Sequence, residues 1–424
     1  MITTVNLLST ASVMRTIGGI LLAIVILLAM VTVHEFGHYI VGKWLGFKIN
    51  EFAVGFGPAI FKKRSKKTGE LFALRIIPLG GYCAFDGEDE DDEPKKEEPV
   101  NEEHAENTDE PFAELTAAEQ SEETPVEAEP QDEKKEEYPE PKGERFNDQP
   151  PWKRILVLLA GATMNYILAL GLIVVMFACF GRPVYQVVKN DAPTTETPTA
   201  VQTLTDEEIP DTLQTGDIIL KIEGKTVYMI TDYLDILDGK KQGEQVEVLL
   251  LRDNKKQTVT LTLVTDADIK NMSDTSTLLA AMGFTAGEGM VTDTVHENFF
   301  ATLGNSVMYS FKIGGSVLRS LGELLTGKLS IRSMGGPVTT ITVTAQAASN
   351  GVVSFLNIAA FIGVNLAVFN LLPVPALDGC KVIFCLIEWI RKKPINRKVE
   401  AMIHFIGIIF LFGFAILVDL LQLF

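Results

Sequence analysis

The sequence predicts a polytopic α-helical membrane protein with four transmembrane helices, a membrane-associated β-hairpin and a separate small β/α domain. Three observations carry this. Apolar residues make up 47% of the 424 and gather into runs long enough to span a hydrocarbon core. Basic residues cluster beside some of those runs and not others, which assigns the sides. Between the second and third runs, residues 184–290 are polar and broken into strand-length apolar segments.

The net charge of −18 belongs to one segment. Residues 86–148 hold 27 of the 55 acidic residues and only 6 of the 37 basic ones. Rich in Glu, Pro, Asp and Lys and nearly without aromatic rings, that segment cannot bury enough surface to fold and reads as a disordered cytoplasmic insertion. Outside it nothing is basic enough to suit nucleic acid. Cys83, Cys179, Cys380 and Cys385 are too scattered for a disulfide or zinc framework and read as packing residues.

Taken in order, residues 16–41 form the first span. Arg15 is the one charge close before it and no small-residue cleavage signature follows Val33, so it is expected to stay as a helix and not to leave as a signal peptide. His34-Glu35-Phe36-Gly37-His38 lies in its second half. On a helix the two imidazoles stand one turn apart on one face with Glu35 beside them, the arrangement that zinc hydrolysis uses. A charge at the centre of a span costs roughly 2.5–3.5 kcal/mol, and the apolar flanks offer few partners other than a metal.

Residues 42–85 carry Lys43, Lys48, Lys62, Lys63, Arg64, Lys66, Lys67 and Arg75, which places them in the cytoplasm. Phe47–Phe61 and Glu70–Phe85 flank the turn Lys66-Lys67-Thr68-Gly69, so a β-hairpin is expected, closed by Pro78-Leu79-Gly80-Gly81-Tyr82. Starting so soon after His38, it can dip back toward the depth of the histidines, where a free strand edge suits an extended peptide; a plain cytoplasmic cover is the other reading. Residues 153–180 form the second span, anchored by Lys153 and Arg154. Its Asn165 either bonds a neighbouring helix or lines a cavity.

Within 184–290, strands are expected at Val201–Leu204, Asp217–Ile222, Gln245–Arg252 and Gln257–Leu263, with a short helix at Thr231–Leu237. The run Gly216-Asp217-Ile218-Ile219-Leu220-Lys221-Ile222-Glu223-Gly224 is the turn-strand-turn of PDZ domains, which bind chain ends by adding a strand. An extracytoplasmic PDZ-like domain follows. Residues 298–329 are amphipathic, with Lys312, Arg319 and Glu323 among the apolar positions, and read as an interfacial helix ended by Ser333–Pro337. Parity agrees: Arg391, Lys392, Lys393, Arg397 and Lys398 belong in the cytoplasm only if 298–329 does not cross.

The third segment, 352–388, is interrupted at Asn370–Gly379, where Pro373 and Pro375 free backbone groups at membrane depth and deliver Asp378 there. Residues 404–423 form the last span. A catalytic zinc takes three protein ligands and keeps one position open. His104 lies in the insertion and His296 across the membrane, which leaves Asp378, His404 and Glu388. Asp378, on the broken helix that reaches the depth of His34, is the expected ligand. Glu35 is then the general base toward water and the acid toward the leaving amine.

With His34–His38 and Asn370–Gly379 both in hand, the chain resembles the site-2 proteases, intramembrane zinc metalloproteases, and among them the bacterial regulator-of-sigma-E protease branch with a PDZ domain. Gly55-Phe56-Gly57-Pro58, Gly80-Gly81-Tyr82, Gly161–Asn165 and Leu377-Asp378-Gly379 carry the likeness. It implies Zn2+ on His34, His38 and Asp378, Glu35 as base, and an unwound substrate held by Asn370, Pro373 and Pro375, by Gly55, Gly80 and Gly81 of the hairpin, and by Asn165. It also implies substrates that are single-span membrane proteins within the lipid bilayer, either anti-sigma factors after a first cut or remnant signal peptides, filtered by the PDZ domain. The single PDZ-like domain and the acidic insertion depart from that pattern. Two competing classes remain: an intramembrane metal transporter or sensor, which has no use for Glu35, and a chain-end-binding scaffold, which leaves the histidines unexplained.

Overall fold

A computed structural model describes residues 10–88, 138–189, 213–285 and 287–423. The expected strand at 201–204, His104 and residues 89–137 of the acidic insertion lie outside the described residues. The chain opens with α1 (Thr10–Leu45), apolar around its whole circumference and roughly 54 Å long. It starts before residue 16, because a helix once nucleated extends as far as its sequence permits.

Next come β1 (Ile49–Arg64) and β2 (Leu71–Phe85), paired antiparallel. They make more than a plain hairpin. Gly55 and Gly57 hold φ of +87° and +83°, and Gly80 holds +105°, so both strands bend sharply. The bends bring residues 51–54 between two stretches of β2: Ala53 faces Tyr82 on one side and Ala73 on the other, while past the bend Lys62 also faces Ala73. Residues 81–85 are left as an edge. Glu70, buried at the foot of β2, fastens this sheet to α1 by accepting from Tyr39 Oη and Thr68 Oγ1 at 3.0 Å each and by pairing with Lys43.

Both ends of the acidic segment are folded. Asp86 accepts from Asn50 Nδ2 at 3.0 Å, residues Phe47 and Glu144 form a bridge, and Phe146 is buried against Phe47 and Phe85. The Phe146 ring and backbone hydrogen bonds from Lys48 to Glu144 and from Phe146 to Asp86 anchor them together. Then α2 (Pro151–Phe180) starts on a proline at its first turn and stops at Gly181.

A six-stranded sheet follows, built from β3 (Arg182–Val188), β4 (Ile218–Ile222), β5 (Lys225–Thr226), β6 (Gln245–Arg252), β7 (Lys255–Thr262) and β8 (Gly289–Val295). Its main path runs β7-β6-β4-β3-β8, with β5 beside β4. Two short helices, α3 (Ile230–Leu237) and α4 (Thr275–Ala281), close its core: Tyr233, Leu234 and Leu278 pack with Ile219, Val246, Val248 and Leu250. In β6 the alternation of exposed Gln245 and Glu247 with buried Val246 and Val248 is the period-two pattern of a half-buried strand.

Helix α5 (Phe299–Leu325) is bound to this sheet unit by Lys312 on Asp232 (2.6 Å) and Arg319 on Asp235, while its Tyr309 and Ile313 join the core between helices. Helix α6 (Pro337–Asn350) has no counterpart among the expected elements, which leave the stretch between the break at Ser333–Pro337 and residue 352 unassigned; it is rich in β-branched threonines. Its threonines satisfy themselves: Thr340, Thr342 and Thr344 each donate to the carbonyl four residues back at 2.7–2.9 Å. The expected third segment is two helices, α7 (Val352–Asn370) and α8 (Asp378–Arg391), and α9 (Arg397–Leu423) begins seven residues ahead of expectation.

Among the described residues four helices, within α1, α2, α7 and α9, are long and apolar enough to cross a membrane, and the chain is a multi-pass membrane protein. A buried ion cluster ties three of the helix ends: Glu388 accepts from Arg154 at 2.5 Å, from Arg397 at 3.1 Å and from the Ile395 N–H at 2.9 Å.

Candidate metal centre

Helix α1 places His34 and His38 one turn apart, and α2 comes close enough to seat them. Gly161 is the reason for the second point: a Cβ there would fall 2.4 Å from His38 Nε2 and 2.7 Å from His34 Cε1. Gly37 answers from the other side, where a Cβ would meet the Ala160 carbonyl at 2.5 Å. Small residues on both helices let the backbones touch.

Asp378, at the first turn of α8, reaches the same point. Its Oδ2 lies 3.1 Å from His34 Nε2 and 3.4 Å from His38 Nε2, and the two ring nitrogens are 3.2 Å apart. His38 Nδ1 is 2.8 Å from the Val157 carbonyl, which can only accept, so Nδ1 carries the proton and Nε2 presents a lone pair to the cluster. His34 Nδ1 has the amides of Asn165 and Asn370 at 3.4 Å. With its Nδ2 toward the ring, Asn165 leaves its Oδ1 buried without a partner; turned end for end, it accepts from Nδ1–H and leaves Nε2 of His34 bare as well. Asp378 Oδ2 is buried and receives no hydrogen bond of good geometry. Two bare imidazole nitrogens and one carboxylate oxygen, all within 4.8 Å of one another, fit a divalent cation as their shared partner.

Glu35 points into the same cavity of about 370 Å³, whose wall is completed by Tyr82, Cys83, Ala84 and Phe85 of the strand edge that is unpaired among the described residues, by Leu158, and by Glu88 and Lys381. Gly81 sits against the acid: a Cβ there would lie 3.2 Å from Glu35 Cγ. Glu88 and Lys381 pair at 2.7 Å and join the end of β2 to α8.

The structure therefore brings together His34, Glu35, His38 and Asp378, with Asn165 and Asn370 on His34 and Gly81 on Glu35. It does not bring the rest to the cavity wall. Gly55 lies against the carbonyls of Arg75 and Ile77, Gly80 against the Phe56 ring, Pro375 against Gly407, and Pro373 is exposed. Sequence reasoning passed over Gly161 as a contact, the stretch 82–85, Glu88 and Lys381. For Gly161 the signal was its place in the Gly161–Asn165 stretch that carries the resemblance, which does not say that it faces the imidazoles; Glu88 and Lys381 gave none, their meeting being purely tertiary.

The pattern of peptidase family M50 matches residues 22–414. The zinc metalloprotease RasP of Bacillus licheniformis is 29% identical over 416 residues, covering 90% of this chain and 93% of that protein. The regulator of sigma-W protease RasP of Bacillus subtilis is 28% identical, covering 93% and 96%, and the zinc metalloprotease RasP of Geobacillus kaustophilus is 26% identical, covering 93% and 94%.

Proposed function

The chain belongs to peptidase family M50, the intramembrane zinc metalloproteases that cut membrane proteins, and from that premise we propose the parts its residues play. His34, His38 and Asp378 would hold the zinc. When bound, zinc lowers the pKa of a water and polarises the scissile carbonyl. Glu35 takes the proton from the attacking water and passes it to the departing amine, a role open to it because it shares the cavity with the ligands without being one. Residues 81–85 supply free backbone donors and acceptors to a peptide laid along them, which keeps it extended; Asn370, beside His34, steadies its near end. A helix must unwind to use that edge.

The convergence of two histidines and a distant carboxylate next to Glu35 and a strand edge is the observation that supports this reading. The substrates are single-span membrane proteins, anti-sigma factors after a first cut or remnant signal peptides, in keeping with the Bacillus subtilis relative named for regulation of sigma-W. On the same reading residues 42–85 face the cytoplasm, residues 184–290 are a PDZ-like extracytoplasmic domain that screens substrates, and residues 298–329 lie at the interface. Gly55, Gly80, Pro373 and Pro375 then act away from the peptide, in the bends of the hairpin and in the turn before Asp378.

The test is cleavage of a truncated single-span anti-sigma-type protein by purified wild type and Glu35→Gln, with zinc measured on both. The expected result is similar zinc in each and cleavage by wild type alone. Undiminished cleavage by Glu35→Gln removes the assignment of the base.

A further inference from the structure

Asp378 is the one member of the metal cluster that is not on α1, so something must fix it in register with the histidines. The turn before it, residues 371–377, contains Ala376 at φ +80°. That is left-handed backbone, which a residue with a Cβ holds only when its surroundings insist. Helix α9 insists. The Ala376 N–H donates to His404 Nδ1 at 3.0 Å. The imidazole stands edge-on to Phe384 of α8, with ring centres 5.7 Å apart and planes at 81°. One turn on, the Gly407 backbone meets the turn directly: a Cβ there would fall 2.4 Å from the Pro375 Cβ and 2.6 Å from its carbonyl carbon.

We propose that His404 is a positioning residue for the metal site: its Nδ1 lone pair, set on the Ala376 N–H, holds the turn in the conformation that presents Asp378 to His34 and His38. The sequence had offered His404 as a rival ligand, and the structure gives it a different task two residues upstream of the ligand. The Nδ1 atom is the working part. Without an acceptor at that point the Ala376 N–H, at membrane depth, is better served by another backbone conformation, and any other conformation swings the first residue of α8. Phe384 and Gly407 fix where the ring stands; Nδ1 fixes what it does. This inference rests on the zinc-site reading above.

Amide substitutions separate the acceptor from the bulk. An asparagine oxygen reaches the place of Nδ1, and a glutamine oxygen reaches the place of Nε2. The measurement is the zinc dissociation constant of the full chain in detergent, by chelator competition with zinc alone as probe, for wild type, His404→Asn, His404→Gln and His404→Ala. His404→Asn should stay close to wild type, while His404→Gln and His404→Ala should lose about 10- to 100-fold, the usual cost of removing support behind a ligand. Equal affinities for the Asn and Gln variants, whether both kept or both lost, overturn the proposal, as does the reverse order. Failure of the wild-type protein itself to bind zinc takes down the zinc-site reading together with this one, which distinguishes it from a failed Asn–Gln contrast.

Discussion

Replacing Gly161 by alanine adds one methyl group where the structure leaves no room for it. The new carbon falls 2.4 Å from His38 Nε2, 2.7 Å from His34 Cε1 and 2.8 Å from His38 Cε1. Ordinary carbon contacts begin near about 3.5 Å, so either the two helices part by about 1 Å or both imidazoles rotate away. Metal sites tolerate departures of about 0.2 Å in their bond lengths, and a misplacement of about 1 Å at reacting groups costs about 100-fold. Gly161→Ala should therefore lower kcat/KM for a single-span substrate by about 100-fold, equivalent to about 2.7 kcal/mol at the transition state, and weaken zinc retention during dialysis against a chelator. Gly171→Ala on the same helix is the control: nothing lies within 4 Å of its added methyl, and alanine favours the helix by about 0.5–1 kcal/mol. Should Gly161→Ala keep its zinc and its rate alongside Gly171→Ala, the close approach of α2 to the histidines is not what seats them.

Glu388→Gln leaves the guanidinium of Arg154, itself 5% exposed, facing a neutral amide, and should cost about 3–5 kcal/mol, seen as a lower melting temperature in detergent. Glu70→Gln strips the charge that holds Lys43 and weakens the bonds from Tyr39 and Thr68; a loss of about 1–3 kcal/mol should show as faster proteolysis in the turn at 65–69. The Asp86 carboxyl is held below its ordinary value by the Asn50 hydrogen bond and by Lys48 and Arg145. Its contribution is complete above the ordinary carboxylate range near about 3.9 and drains away as the pH falls below it, so protection of residues 86–88 from an acid protease should drop in that window and be pH-independent in Asp86→Asn.

Much of the metal site was legible because its residues are out of place by composition. Two histidines and an acid inside an apolar run, and an Asp behind two prolines in another, are conspicuous where lipid tolerates no idle charge. What stayed hidden depends on approach between distant segments. Nothing in the local sequence says that Gly161 faces the imidazoles, that Glu88 meets Lys381, or that His404 accepts from Ala376. The hairpin was visible as alternation, but its doubling back needed the positive φ of Gly55, Gly57 and Gly80, and glycine alone does not announce its sign. Helix α6 gives little local signal, because its β-branched threonines are poor helix formers; in the fold Thr340, Thr342 and Thr344 each satisfy their hydroxyl on a carbonyl one turn back. The acidic segment was read as one block, although Asp86 and Phe146 at its ends belong to the folded core.

The distance in sequence between the parts of the metal centre sets a schedule for synthesis. Asn370 follows His34 by 336 residues, and Asp378 comes later still. At roughly 5–20 residues per second a ribosome needs on the order of half a minute to traverse that interval. Throughout it the histidines are already in place without their carboxylate partner. On the proposed ligand set, the nascent chain therefore lacks its carboxylate ligand until the final eighth of the sequence has been made, and it is expected not to cut other freshly inserted single helices before then.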